Sequence, residues 1–260
     1  MCLPYIFALH AGGHIGPPLH LLQLMSKVKL KDIDLSKKID KSDYKKKLEE
    51  YELDLLRFQL GLKEKGEKIL IMFEGWDAAG KGGAIKTLAK FWDPRGVKVY
   101  PISAPTEEEK SRHYLWRFLI HLPPCGVITI FDRTWYGRVL VERVEELTKK
   151  KLWKRAYDEI NDIEKIISHD NTMIFKFFMH ISQEEQLKRF KERETNPMKE
   201  YKIGAEDYEN RSKFKEYTDA YEDMLNKTST DCAPWHIIEA DDKEYARLKI
   251  IKTILEEAKK

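Results

Sequence analysis

Between Ser42 and Lys65 apolar side chains recur at Tyr44, Leu48, Tyr51, Leu55, Phe58 and Leu62. These alternating steps of four and three place one buried stripe on a long helix, which is expected to brace the main body of the molecule. Downstream the pattern shortens to apolar runs at Lys68–Phe73, Val97–Ile102, Val127–Phe131, Met173–Phe178 and Trp235–Glu239. They read as strands, and the helical stretches between them predict a parallel sheet of about five strands covered on both faces. Capping-box spacing at Thr106 with Glu109 and at Ser182 with Glu185 places "EEEKSRHYLWRFLIHL" and "QEEQLKRFKERE" on helices. Pro197 and Gly204 then interrupt regular structure before a final long helix ending near Asn226, so residues 183–212 are expected to form a helical lid.

Composition changes this picture only at the margins. With 42% hydrophobic residues among 260, there is apolar material for a real core. Residues 1–24 mix Gly, Pro and His without period, and the composition changes at Met25. They are expected to be an extension or a mis-assigned start ahead of a single domain over residues 25–260. Charged residues make up 35% of the chain but leave a net charge of only +3, so any grip on a polyanion must come from local clusters; a general nucleic-acid binder is disfavoured. Cys2, Cys125 and Cys232 are far apart and odd in number, which fits the reducing cytosol better than a disulfide framework or a zinc site. No apolar run approaches the roughly 18–20 residues of a bilayer span, so no membrane is expected.

The chemistry concentrates in "ILIMFEGWDAAGKGGAIKTL". Gly75, Gly80 and Lys81 stand at the spacing of the phosphate-loop motif G-x-x-x-x-G-K-[ST], between a strand and a helix. Gly75, Gly80, Gly82 and Gly83 are expected to let the backbone take positive φ angles close to phosphate oxygens, with Ala78 and Ala79 in the same cradle. The helix start adds about half a unit of positive charge, and Lys81 reaches the outer phosphates. A glycine turn that merely links strand to helix is the bland alternative. The hydroxyl of the motif is missing: Gly82 stands where Ser or Thr would hold magnesium. Asp77 lies inside the loop, and "GVITIFDRTWYGR" delivers Asp132 to the carboxyl edge of the sheet, where open parallel sheets place ligands. Two carboxylates are hard ligands suited to Mg2+, with Mn2+ as a substitute, so Asp77 and Asp132 are expected to share the metal. The alternatives are that Asp77 only stiffens the loop and that Asp132 only caps a helix.

The stretches "FEGWDAAGKGGAIKTL", "DPRGVKVYPISAPTEEEKSRHYLWRF", "FDRTWYGRVLVERVE" and "RFKERETNPMKEYK" together resemble the polyphosphate kinase 2 family, over roughly Ser42 to the C-terminus. That resemblance implies a three-layer α/β/α phosphate-loop kinase fold with a lid. It also implies magnesium-dependent phosphoryl transfer between inorganic polyphosphate and adenine or guanine nucleotides. By the same likeness Asp77 and Asp132 serve the metal, Lys81 and Arg133 act on the transferred group, and Arg138, Arg189 and Arg193 join the phosphate- or nucleotide-binding set. A homo-oligomer, dimer or tetramer, is implied too. "WYGRVLVERVE" leans towards a nucleoside monophosphate as acceptor, the diphosphate branch commonly having Asn in place of Gly137; the reaction is AMP to ADP, ADP to ATP, or both. An ATP-dependent nucleoside or nucleotide kinase and a non-catalytic nucleotide-binding switch are the competing functions.

The basic runs Lys149–Lys151 with Lys154 and Arg155, and Lys188, Arg189, Lys191 and Arg193, read either as a channel for a phosphate polymer or as solvated helix faces. Trp76, Trp92, Trp116, Trp135 and Tyr136 are expected in core or sheet-edge packing, and His113 and His121 carry no assigned chemistry.

Overall fold

A computed structural model describes residues 27–259; the expectation for residues 1–24 lies outside them. Helix α1 (Lys41–Lys65) turns the expected stripe inward. Leu55 and Leu62 are fully buried, while Leu48, Tyr51 and Phe58 pack at the core margin. Gly66 ends the helix at φ 65°, and the amide of Glu67 returns to the Leu62 carbonyl at 2.9 Å, a left-handed stop that a residue with a Cβ resists. The chain then enters β1 (Lys68–Gly75), α2 (Lys81–Phe91), β2 (Val97–Pro101), β3 (Ile128–Asp132), α3 (Lys150–His169) and β4 (Thr172–His180). It continues through α4 (Gln183–Glu194), α5 (Ala205–Ser212), α6 (Phe214–Thr228), β5 (Trp235–Glu239) and α7 (Lys243–Glu257).

All five strands are parallel, in the order β2-β3-β1-β4-β5. The central strand β1 is buried at every position after Lys68, as a strand covered on both faces requires. Helices α1, α2 and α7 pack together on one side; α3 and α6 pack together on the other, with α3 against β4. The result is the expected three-layer α/β/α arrangement. The bracing role of α1 has a polar component: Trp92 donates through Nε1 to the Leu55 carbonyl at 3.0 Å, and Gln59 exchanges two bonds with the backbone of Asp93 at 2.7 and 2.8 Å.

Three expectations are corrected. The stretch from Glu107 to Leu122 is not one helix but two single turns, Glu107–Lys110 and Trp116–Leu119. The capping box at Thr106 forms, but Nδ1 of His113 takes the Leu115 amide at 3.4 Å, and this local bond competes with continuation of the helix. Secondly, the helix ending near Asn226 is not the last. Asp242 caps α7 by accepting from the Tyr245 amide at 2.6 Å, and Ala246, Ile250, Ile251 and Ile254 seal it onto the sheet. Thirdly, β4 runs two residues past the expected end, because Met179 and His180 still find partners in Gly75 and Glu239.

Of the aromatic residues expected in packing, Trp76, Trp92, Trp135 and Tyr136 are buried and Trp116 is half-buried. No helix among the described residues is long and apolar enough to cross a membrane.

Candidate functional site

The parallel topology brings the carboxyl ends of β1, β3 and β4 to one edge, and the site is built there. Gly75 closes β1 at φ 131°, packed so tightly on β4 that a Cβ would lie 2.2 Å from the Met179 carbonyl oxygen. Gly75→Ala should therefore destabilise by at least about 3 kcal/mol, backbone strain and clash together. A thermal melt superimposable on the parent's would refute this packing. The loop continues through Ala78 at φ 61° and Gly80 at φ 106°, two left-handed residues that turn it sharply into α2. Gly82 and Gly83 do not need positive φ, contrary to expectation; they lie within the first turn of α2, where their missing side chains clear space instead. A Cβ on Gly82 would stand 4.0 Å from Oδ2 of Asp132, and one on Gly83 would stand 3.2 Å from Nη2 of Arg247. The position that carries a hydroxyl in the motif thus abuts the strand-end carboxylate.

Lys81 folds back over the loop, donating through Nζ to the carbonyls of Gly75 at 2.6 Å and Trp76 at 3.0 Å. Asp77 has one oxygen 3.6 Å from Nη2 of Arg133, while the other accepts from Nδ2 of Asn210 on α5 at 2.9 Å. Arg133 sits at φ 67° directly after Asp132. Partial loss of solvent around its guanidinium opposes the charge, although the side chain is 62% exposed, and Asp77, Glu74 and Asp132 outweigh that and hold its pKa above the ordinary value. Asp77 and Asp132 supply hard oxygen donors beside the loop, a donor chemistry that would suit a divalent cation such as Mg2+. Among the described residues no cluster of three or more His, Cys, Asp or Glu side chains forms a metal site.

Glu74 was not expected. It is a charged residue at the end of an apolar strand, which was the available signal. Its Oε1 accepts from both the amide and the hydroxyl of Thr134 at 2.8 Å, tying β1 to the turn after Asp132. Burial pushes its pKa up to about 7, against the charges of Lys81 and Arg133 and the Thr134 bonds. Between about pH 4.5 and 7 the folded chain holds a proton that the unfolded chain releases, so this group's contribution to stability falls as pH rises through that window. Glu74→Gln keeps the acceptor and removes the titration. The variant should match the parent at pH 4.5 and exceed it by up to about 3 kcal/mol at pH 8, in urea titrations. A parent–variant gap that does not change with pH would refute the shift.

The basic run on α4 divides by helical face. Lys188 and Lys191 face solvent, whereas Arg189 and Arg193 turn inward. Arg189, 3% exposed, pairs with Glu185 at 2.7 Å and donates to the carbonyls of Ala78, Ala79, Ala240 and Asp241. Gln186 adds a bond to the Asp77 carbonyl at 3.1 Å. Arg193 reaches the Lys202 carbonyl and borders a cleft of about 200 Å³ beside the loop. Lys199, Lys202, Lys243 and Arg247 converge on the same cleft with only Glu192 of opposite sign, and no aromatic ring lines it. Lys243 and Arg247 were missed; the signal was a pair of cations one helical turn apart, just past the carboxyl end of β5. Arg138 is engaged elsewhere: it pairs with Glu142 at 2.6 Å, bonds Thr148 and lies over the Tyr114 ring at 4.4 Å. Lys149–Lys151, Lys154 and Arg155 are exposed to solvent.

Comparison with known proteins adds names to this geometry. The family described as Polyphosphate kinase 2 (PPK2) matches residues 38–260. A polyphosphate:AMP phosphotransferase of Pseudomonas aeruginosa is 46% identical over 225 residues, covering 86% of this chain and 45% of that protein. One from Acinetobacter johnsonii is 50% identical over 192 residues, covering 74% and 40% respectively. The chain thus spans less than half the length of these two relatives. A solved polyphosphate kinase 2 from Arthrobacter aurescens superposes with a TM-score of 0.87 at 32% identity, covering 96% of this chain and 92% of that one.

Proposed function

The chain belongs to the polyphosphate kinase 2 family, and from that premise we propose that it transfers a phosphoryl group between inorganic polyphosphate and a nucleotide, AMP being the favoured acceptor. The observation that carries the polyphosphate half is the cleft beside the loop. Four cations from α7 and the segment before α5, with Arg193, line a passage without a ring to stack on a base. Such a passage suits a bare chain of phosphates, which carries about one charge per unit, better than it suits the nucleoside of ATP. The lean towards AMP rests on the two phosphotransferases of that name and on Gly137, whose backbone does not demand glycine and whose Cβ would meet only Val141, at 3.8 Å.

Phosphoryl transfer asks the protein to hold donor and acceptor in line and to neutralise the moving charge. Lys81 is released from its loop carbonyls to the phosphate being transferred, and Arg133 faces the same charge from the end of β3. Arg189, with its N–H groups on loop carbonyls, shapes the cradle and also lines the cleft, where the sequence expects it to bind phosphate. Asp77 and Asp132 would hold Mg2+, which when bound supplies charge neutralisation between phosphate oxygens. Residues 183–212 serve as the lid.

The test is incubation of purified protein with Mg2+ and either polyphosphate or ATP as donor, AMP or ADP as acceptor, followed by separation of the nucleotides. ADP formed from AMP in a polyphosphate-dependent reaction is expected. Conversion that needs ATP and ignores polyphosphate would establish the ordinary kinase instead, and nucleotide binding without transfer would establish the switch.

A further inference from the structure

Helix α5 buries none of its eight residues, so little apolar packing fixes it over the loop. Polar contacts hold it instead, and one of them ends on Asp77. Asn210 donates from Nδ2 to Oδ2 of Asp77 at 2.9 Å, while its Oδ1 accepts from the Tyr217 hydroxyl at 3.2 Å. The carboxylate can only accept, so the Asn210 amide has a single workable orientation here. Two other anchors avoid the Asp77 carboxylate: Arg211 donates to the Gln183 carbonyl at 2.9 Å and to Oε1 of Gln186 at 3.0 Å, and Tyr208 donates to Glu194 at 2.8 Å and packs edge-on against Phe190.

We propose that Asn210 is a positioning residue that orients Asp77 for the metal, and that docking of α5 and metal binding therefore reinforce one another. The proposal rests on the reading of Asp77 as a metal ligand. A carboxylate that offers one oxygen to a cation is fixed in place when its second oxygen accepts a hydrogen bond, and loss of such a partner commonly weakens binding 10- to 100-fold. Oδ2 is held by Asn210, which leaves Oδ1, the oxygen facing Arg133, for the cation. Linkage then requires reciprocity: the factor by which a docked α5 tightens the metal is the factor by which the metal tightens docking.

Two measurements on four proteins test this: Mn2+ titration followed by the paramagnetic resonance of the free ion, and amide exchange of residues 205–212 with and without Mg2+. The proteins are the parent, Asp77→Asn, Asn210→Ala and Tyr208→Phe. The parent should show slower exchange of α5 with the metal bound, and Asn210→Ala should weaken Mn2+ about 10-fold and abolish that slowing. Tyr208→Phe, which removes one anchor but leaves α5 docked in most molecules, should speed exchange of α5 yet leave the Mn2+ affinity unchanged. Parental Mn2+ affinity in Asn210→Ala, with Asp77→Asn impaired, would overturn the inference while sparing the metal assignment. Equal weakening by Tyr208→Phe would overturn it too, by showing that any loosening of α5 suffices. Unaltered Mn2+ binding in Asp77→Asn would remove the metal assignment itself.

Discussion

Asp77→Asn is expected to lower turnover by about 10²- to 10³-fold while moving the melting temperature by no more than a few degrees. The substitution keeps size and hydrogen-bonding capacity but removes one of the two charges placed to hold a divalent cation, and loss of one preorganised electrostatic partner in an active site costs about that much. Stability should change little, because Asp77 is part-exposed, its Arg133 pair is long at 3.6 Å, and Arg133 is itself 62% exposed. Exposed pairs of that kind contribute at most about 1 kcal/mol. Asp132→Asn should show the same split. Steady-state rates at saturating Mg2+, set beside thermal melts, check both variants. Near-parental turnover in Asp77→Asn would return that residue to a stiffener of the loop, and a large loss of stability would mean that its carboxylate serves the fold.

The difference between what was legible and what was not follows the range of the interactions. The five strands and α1 could be read because their periods report burial directly: β1 is apolar from Ile69 to Phe73, and the α1 stripe recurs over about five turns. The loop was legible for a related reason, since Gly75, Gly80 and Lys81 must be close in sequence to surround one phosphate. Misreadings arose where a local bond or a distant partner decided the outcome. His113 breaks a helix that the cap at Thr106 begins, and Gly82 and Gly83 turned out to be clearances for Asp132 and Arg247. Asn210 meets Asp77 across 133 residues, and no sequence period records such a meeting. Arg189 shows the subtlest limit: sequence located it at the site, but only the fold reveals that its N–H groups lie on loop carbonyls.

Lys176→Met should destabilise the protein by about 3–5 kcal/mol, whereas the pair Lys176→Met with Glu164→Gln should cost clearly less than the sum of its two parts. Lys176 and Glu164 form a fully buried ion pair at 2.7 Å. The ammonium also donates to the Tyr136 hydroxyl at 2.9 Å and to the Thr228 carbonyl at 2.6 Å. Glu164 in turn accepts from Tyr136 at 2.7 Å and from Nε1 of Trp135 at 3.1 Å. Removing one partner strands the other charge in a medium that solvates it poorly, which is the expensive step; removing both charges avoids it. Burial already pulls the pKa of Lys176 below its ordinary 10.5, against the attraction of Glu164. In Glu164→Gln that attraction is gone, so the lysine should shed its proton within the folded state while the unfolded chain keeps it. The unfolded state then binds more protons, and stability of this variant should rise with pH from 7 towards 10. Urea titrations of the four proteins at pH 7 and 9.5 measure both effects. Additive costs in the double variant would show that the two charges do not depend on each other. The network grips Trp135 and Tyr136 in the turn directly after Arg133, so the single variants should also turn over more slowly, and the double variant should regain part of that rate along with its stability.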